Sequence, residues 1–339
     1  MQVVEIVGRG GPACLQLREK PDPTPGPGGG HVADKAAGVN FADIMGRRGL
    51  YRDAPKGDFV PGYEVSGIVD AVGPGVTAFA PGDRVMGMTK FHGYASRVVT
   101  TENHLMAIPE GWDFVRAAAV PVVYLTAYTA LIRQARVQRG DRVLIHAAAG
   151  GVGVAAIQIA RHAGARIAGS CGSQAKVDFL RELGVEWPIN YNTEPFDDFV
   201  RRELGAVDII LDAQGGDTTA RGLKILEVAG RLVLYGIASS ATERGRNPLT
   251  LLKTIFPLLK ANPITLMAKN TGVFGLNMLN TWDDKPGLKM GFAWLQAAMA
   301  SGVVDPVIDA TFPLAKAAEA QGRLENRSNI GKVVLTVDG

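Results

Sequence analysis

The sequence predicts an α/β protein of two domains, with a doubly wound parallel sheet inserted into a smaller, mainly β, barrel-like unit. Three observations predict it. At 339 residues the chain exceeds one ordinary domain. Up to about Val120 it is rich in glycine and proline with short apolar runs, whereas from Val122 strands alternate with helical patterns. After about Pro263 the mixed texture returns and ends in an apolar strand, Lys332–Val337. The expected division is residues 1–122 and 264–339 for the barrel-like unit and 123–263 for the sheet domain.

The elements follow in order. Met1–Val7 reads as a strand, without the basic start and long apolar stretch of a signal peptide. Pro21–Gly30 reads as a loop. Val65–Val72 and Gly82–Gly87 read as strands broken by turns. Thr126–Ala135 is helical. Strand candidates then stand at Arg142–Ala147, Arg166–Ser170, Val207–Leu211 and Arg231–Gly236. Helical patterns separate them at Val154–Ala163, Ala175–Leu183, Pro195–Leu204 and Thr218–Leu226. This alternation implies a parallel sheet with right-handed crossovers. Residues 247–260 are unusually apolar. They read as a packed helix interrupted at Pro257, or as a surface for a channel, a dimer face or a membrane.

The strand Arg142–His146 feeds the small-residue turn Gly150-Gly151-Val152-Gly153, and a helical pattern starts at once. Glycines let a backbone approach a pyrophosphate, and the helix start offers it unpaired N–H groups. Alone the turn is a modest signal. Between a strand and a helix, with further βα alternation behind it, it points to a dinucleotide. The end of the next strand chooses between cofactors. An acid there would bind the ribose hydroxyls of NAD. Ile167–Ser173 holds none, and Lys176 follows. Hydroxyls and an ammonium hold a 2′-phosphate through charge-assisted bonds of roughly 1.5–3 kcal/mol each. NADPH is therefore the expected cofactor, with Ser173 and Lys176 on its phosphate. The alternative for Lys176 is a solvated helix lysine.

Composition excludes other classes. Lys plus Arg number 36 against 33 acidic residues, so a net charge of +3 gives no reason to expect nucleic acid. Cys14 and Cys171 are too few for a disulfide framework or a cysteine-built zinc site. No run approaches the ~18 apolar residues of a membrane span. A soluble, cytoplasmic protein is expected.

Pro61–Gly73, Gly82–Gly87, Ala118–Leu131 and the turn at Ala148–Gly153 together resemble the medium-chain dehydrogenase/reductase superfamily, over essentially the whole chain. Asn40–Tyr51 is especially similar to its zinc-free quinone oxidoreductase branch, in the subgroup of vesicle amine transport protein homologues. The resemblance implies a Rossmann-type domain inserted in a chaperonin-10-like barrel, and a homodimer formed through edge strands. It places Asn40, Asp43 and Tyr51 near substrate and nicotinamide, with Thr126 beside the ring. It places Tyr191 near the adenosine phosphate and Gly236 at a strand end facing the cofactor. Phe274 and Gly275 match the segment meeting the carboxamide, and Asn329 a C-terminal cofactor contact. Two departures stand out. Met45 replaces a tyrosine of some members, which implies a less polar acceptor pocket, and Gly30–Lys35 writes the usual alternating strand poorly.

Zinc members of the superfamily need a thiolate where Asn40 stands and a histidine where Tyr63 stands, and neither replacement is a usual zinc ligand. The four-cysteine lobe expected after Val85 is also missing. Without a Lewis acid an alkoxide loses its stabilisation. Reduction of a conjugated carbonyl still needs only hydrogen-bond donors. The expectation is a zinc-free NADPH-dependent reductase of quinones or α,β-unsaturated carbonyls, whose acceptor oxygen is polarised by Asn40, Tyr51 or water. The alternatives are a discrete enoyl-thioester reductase and an NADPH-binding adaptor or trafficking factor with little turnover. Plainer roles stand beside the catalytic ones. Asn40 could bond backbone in a turn, Asp43 could cap a helix or pair with Arg47 at i,i+4, Tyr51 could be a wall, and Thr126 could start a helix. His31, His92, His104 and His162 read as surface or loop residues, and His146 as core.

Overall fold

A computed structural model describes residues 1–238 and 262–337. The apolar run at 247–260 lies outside the described residues. The chain packs as two compact units. One comprises Met1–Leu125, Leu279–Ser301 and Pro306–Gly339, and the other Thr126–Met278 with Gly302–Asp305. In chain order the elements begin with β1 (Gln2–Ile6), β2 (Leu15–Glu19), β3 (Gly29–Val39), α1 (Phe41–Arg47), β4 (Glu64–Val72), β5 (Arg84–Met88), β6 (Arg97–Thr101) and β7 (Leu105–Ala107). α2 (Phe114–Ala118) and α3 (Pro121–Tyr128) follow, and a π-helical stretch, Thr129–Gln134, continues α3.

The second unit then builds β8 (Arg142–His146), α4 (Gly151–His162), β9 (Arg166–Cys171), α5 (Gln174–Glu182), β10 (Trp187–Asn190) and α6 (Phe196–Glu203). It continues with β11 (Val207–Asp212), α7 (Asp217–Gly222), β12 (Leu226–Leu234), α8 (Pro263–Lys269) and β13 (Gly272–Gly275). Its sheet runs β10-β9-β8-β11-β12-β13, with every neighbouring pair parallel. That is the doubly wound order with a reversal between β8 and β11, where strand ends leave room for a ligand. β8 and β11 are continuous apolar runs because the helices cover both faces of a parallel sheet. Two strands go beyond the sequence expectation, β10 and β13, both at sheet edges. β13 carries the second unit past the expected boundary at 263, to Met278. The first boundary falls inside α3, between Leu125 and Thr126. α7 ends at Gly222 rather than at Leu226, which instead opens β12.

The first unit closes with α9 (Lys285–Ala300), β14 (Ile308–Pro313), α10 (Ala317–Glu325) and β15 (Lys332–Thr336). Its main sheet runs β14-β15-β3-β4-β5-β7, with β6 also on β3. β1 and β2 form a separate two-stranded sheet. The core beneath is aliphatic, from Val3 and Val32 to Val333 and Leu335. The poorly written stretch Gly30–Lys35 proves to be part of the longest strand, β3. Register shifts at His31/Val32 and Asp34/Ala36 break the period of two, and burial on both faces removes the polar alternation. Two histidines also depart from expectation. His31 and His104 are buried, His31 paired with Asp70, and His104 stacked on Trp282 at 3.5 Å.

Candidate active site

In the first unit a buried polar cluster forms where β3 ends. β15 pairs antiparallel with residues 36–39 of β3, which brings Lys332 beside Asn40. The Lys332 ammonium donates to Asn40 Oδ1 at 2.6 Å and to Glu64 Oε1 at 2.5 Å. Asn40 Nδ2 donates to Glu64 Oε1 at 2.8 Å and to the Gly38 carbonyl at 3.3 Å. Glu64 Oε2 accepts the Val122 N–H at 2.7 Å. The Lys332 and Glu64 side chains are 4% and 0% exposed. Such a pair tolerates burial when further hydrogen bonds offset its desolvation, and here Asn40 and the Val122 N–H supply them. Gly38 makes the room, since a Cβ there would overlap the Glu64 carboxylate.

The cluster bears on one expected role. Asn40 was expected to polarise an acceptor oxygen, but both its N–H donors are already committed to Glu64 and Gly38. It also bears on metal chemistry. The lone pairs of Asn40 and Glu64 that could face a cation face an ammonium. Among the described residues no group of three or more His, Cys, Asp or Glu side chains could hold a metal.

Asp43 takes one of its two plainer roles. It caps α1 and does not pair with Arg47. Its carboxylate accepts the Asn40 N–H at 2.8 Å, the Gly62 N–H at 2.9 Å and the Tyr94 hydroxyl at 3.1 Å. At 1% exposure it ties the start of α1 to the loop before β4. Burial pushes its pKa up to about 7, against the pull of those three donors and of Lys332. Arg47 turns instead to Glu325 at 2.6 Å and to Gln321 Oε1 at 2.8 Å.

Beside this cluster runs a row of aromatic rings. Half-buried Tyr51 meets Tyr63 edge-on at 6.1 Å, Tyr63 meets Phe91 at 5.2 Å, and Phe91 meets Phe59 edge-on at 5.5 Å. Met45 is buried at 6% exposure. Asn329 precedes β15 and donates from Nδ2 to the Gly331 carbonyl at 2.9 Å.

In the second unit the Gly-rich turn sits between β8 and α4. Ala147 turns the corner in the left-handed region at φ 53°. Gly150 is the N-cap, and the first internal bond of α4 runs from the Val154 N–H to the Gly150 carbonyl at 2.9 Å. The N–H groups of Gly151, Val152 and Gly153 precede that bond. They lie at the positive end of a 12-residue helix. A Cβ on Gly153 would overlap the carbonyl of Ala148, so only glycine lets the turn close onto the helix. This cradle fits a dinucleotide pyrophosphate.

The ends of β9 and β10 bring three expected residues together. Ser173 caps α5, its Oγ accepting the Lys176 N–H at 3.3 Å, which leaves the hydroxyl proton free to be donated. Tyr191 follows β10 with its N–H on the Cys171 carbonyl at 3.0 Å, and its ring lies over Gly172. Asn192, not foreseen from the sequence, donates to the Gly172 carbonyl at 2.8 Å and fixes that loop. Asp212, also not foreseen, ends β11 and accepts the N–H groups of Gln214 and Gly215 at 2.7 and 3.1 Å. Gly236 lies just beyond β12, and Phe274 and Gly275 lie on edge strand β13. Thr126 lies in the last turn of α3 and is buried, so it does not start a helix. His146 is core, its Nδ1 2.8 Å from Ser170 Oγ and its ring edge-on to Phe196. Lys332 was the largest omission. A lone lysine opening an apolar strand is the signal for it, because a buried lysine demands a partner.

Two family descriptions match the chain. "Alcohol dehydrogenase GroES-like domain" matches residues 26–112, and "Zinc-binding dehydrogenase" matches residues 151–286. The human synaptic vesicle membrane protein VAT-1 homolog is 36% identical over 339 residues, covering 99% of this chain and 86% of that protein. Human quinone oxidoreductase is 33% identical over 341 residues, covering 99% and 97%. The crystal structure of Escherichia coli quinone oxidoreductase complexed with NADPH matches with a TM-score of 0.85 at 29% identity, over 99% of this chain and 100% of that one.

Proposed function

The chain belongs to the medium-chain dehydrogenase/reductase family, and from that premise we propose that it is an NADPH-dependent reductase of quinones and α,β-unsaturated carbonyls that works without zinc. The observation that carries the zinc-free reading is the Asn40–Glu64–Lys332 cluster. A catalytic zinc needs lone pairs from several side chains and an open position. Here the oxygen lone pairs already hold an ammonium, and a second cation beside it would be repelled.

The cofactor reading rests on the second unit. The turn Gly150–Gly153 and the start of α4 hold the pyrophosphate, and the Ser173 hydroxyl and Lys176 ammonium hold the 2′-phosphate. Thr126, Tyr191, Gly236, Phe274 and Gly275 complete the set in this unit. When bound, NADPH supplies the hydride. The chain's own part is to hold a flat acceptor, exclude water and offer donors to its oxygen, so that rate comes from orientation and hydrogen bonding. Half-buried Tyr51 is one such donor. We also read the protein as a cytoplasmic homodimer joined through edge strands of the second unit's sheet. Among the described residues no helix is long and apolar enough to cross a membrane.

Steady-state NADPH oxidation against quinones, enones and enoyl thioesters tests the reading. Turnover of quinones or enones that survives chelation, on protein with far less than one zinc per chain, is the expected result. Turnover confined to thioesters would make it an enoyl-thioester reductase. Tight NADPH binding with no turnover would make it an adaptor. Stoichiometric zinc lost together with activity would overturn the zinc-free mechanism.

A further inference from the structure

Gly8, Arg9 and Gly10, just after β1, strap down the loop that carries Tyr51. That loop leaves α1 after Arg47 and returns at Phe59, whose backbone exchanges hydrogen bonds with Ile6 at the end of β1. The Gly10 N–H donates to the Arg47 carbonyl at 3.0 Å, where the loop leaves. The Gly8 N–H donates to Asp58 Oδ1 at 2.8 Å, where it returns. Arg9 lies between them and reaches across. Its guanidinium donates to the Gly46 carbonyl at 3.2 Å and to the Pro55 carbonyl at 2.7 Å. A Cβ on Gly49, which turns at φ 71°, would touch the Arg9 alkyl chain. The same guanidinium stands 5.0 Å over the Phe59 ring, at the end of the aromatic row opposite Tyr51. A planar fork of donors can hold two carbonyls and still turn its face to a ring. Fixing both carbonyls removes conformational freedom from the chain between them, and Tyr51 lies in that stretch. Tyr51 and Ala54 of the loop also pack on the apolar cluster of Ile6, Phe59 and Tyr63. Arg9 itself is exposed, so it is no part of the core.

We propose that Arg9 is a positioning residue for reduction of the acceptor, closing the loop at residues 48–58 and so fixing the Tyr51 phenol where it donates to the acceptor oxygen. The proposal rests on the reductase reading above. Arg9 acts through the loop, and no proton or electron passes through its fixed charge. With the strap fastened, the cost of ordering the loop falls on folding rather than on each encounter with an acceptor. With the strap released, Tyr51 must be ordered at every turnover, and the rate falls while the cofactor site is untouched.

Arg9→Met keeps an unbranched apolar chain and removes the fork. Its kcat with quinones should fall about threefold to tenfold, less than the roughly hundredfold that a full ångström of misplacement can cost. NADPH affinity should be unchanged, and the melting temperature should stay close to that of the parent because Arg9 is exposed. Tyr51→Phe should lower kcat by itself. The double variant should lose little more than Tyr51→Phe alone, because residues that act as one unit are not additive. Limited digestion with a lysine-specific protease reads the strap directly. Cleavage after Lys56, which is exposed in the loop, should be severalfold faster in Arg9→Met than in the parent. Parental kcat in Arg9→Met or in Tyr51→Phe, fully multiplicative losses in the double variant, or unchanged cleavage would overturn the proposal and leave the reductase reading intact. A parent that reduces no quinone or enone would overturn the reductase reading and the catalytic role of Arg9 with it, and cleavage after Lys56 would still decide whether Arg9 fastens the loop.

Discussion

Asp34 shows how far one residue can run against the solvation rules. It lies on β3 between the two register shifts, at 2% exposure, with neither carboxylate oxygen hydrogen-bonded. Burial holds its pKa well above the ordinary range, and the nearby Asp70 adds to the shift. The sign follows from linkage. A carboxyl held protonated in the folded state costs nothing below its unfolded pKa, and stability is lost as pH rises from there toward the folded value. Asp34→Asn should therefore raise the melting temperature by a few degrees at about pH 8, with the gain vanishing near about pH 4. Melting curves across that range decide it, and a gain that grew toward acid would show that Asp34 is ionised and paired. At this scale half of the site was legible. Asn40 is visible as a polar residue closing an apolar strand. Its partner Lys332, 292 residues away, is invisible until the register of β15 on β3 is known.

Elements were legible where one physical cause acts alone. β8 and α4 were readable because a buried parallel strand is a plain apolar run and α4 keeps helical periodicity through its Ala and Ile positions. β3 was not, because two bulges and burial on both faces erase alternation. β10 contains Pro188 and β13 is bounded by glycines, residues that argue against a strand except at a sheet edge, which is where both lie. The junction of β9 and α5 yields a prediction of its own. With Ser173 as N-cap, Lys176 occupies the first turn of α5 beside the proposed 2′-phosphate. Lys176→Ala should weaken NADPH roughly tenfold to a hundredfold, the loss of one charge-assisted bond, and should barely change NADH. Fluorescence titration with both cofactors checks this, and equal losses would move the phosphate elsewhere.

For the whole molecule, the division into two units makes thermal unfolding a reporter of the cofactor. Residues that hold NADPH lie mainly in the second unit, so its transition should shift with cofactor while a separate first-unit transition shifts less. At a hundredfold excess over the dissociation constant the stabilisation should be about 2.7 kcal/mol. Calorimetry with NADPH and with NADH resolves it, and no shift with either would refute the nucleotide site. The interruption of the first unit also sets an order of events on the ribosome. The second unit is nearly complete once Met278 has emerged, but β3 must wait for β15 before its edge at residues 36–39 is covered. At about 5–20 residues per second, 292 residues take roughly 15–60 s to synthesise. For that time the nascent chain carries an open sheet edge, a template for aggregation, and a Glu64 carboxylate with no ammonium to meet. Survival of the newborn protein should therefore depend on chaperones that shield the first unit while translation finishes. A message truncated just before Lys332 would yield a well-formed nucleotide unit tethered to a barrel that cannot close.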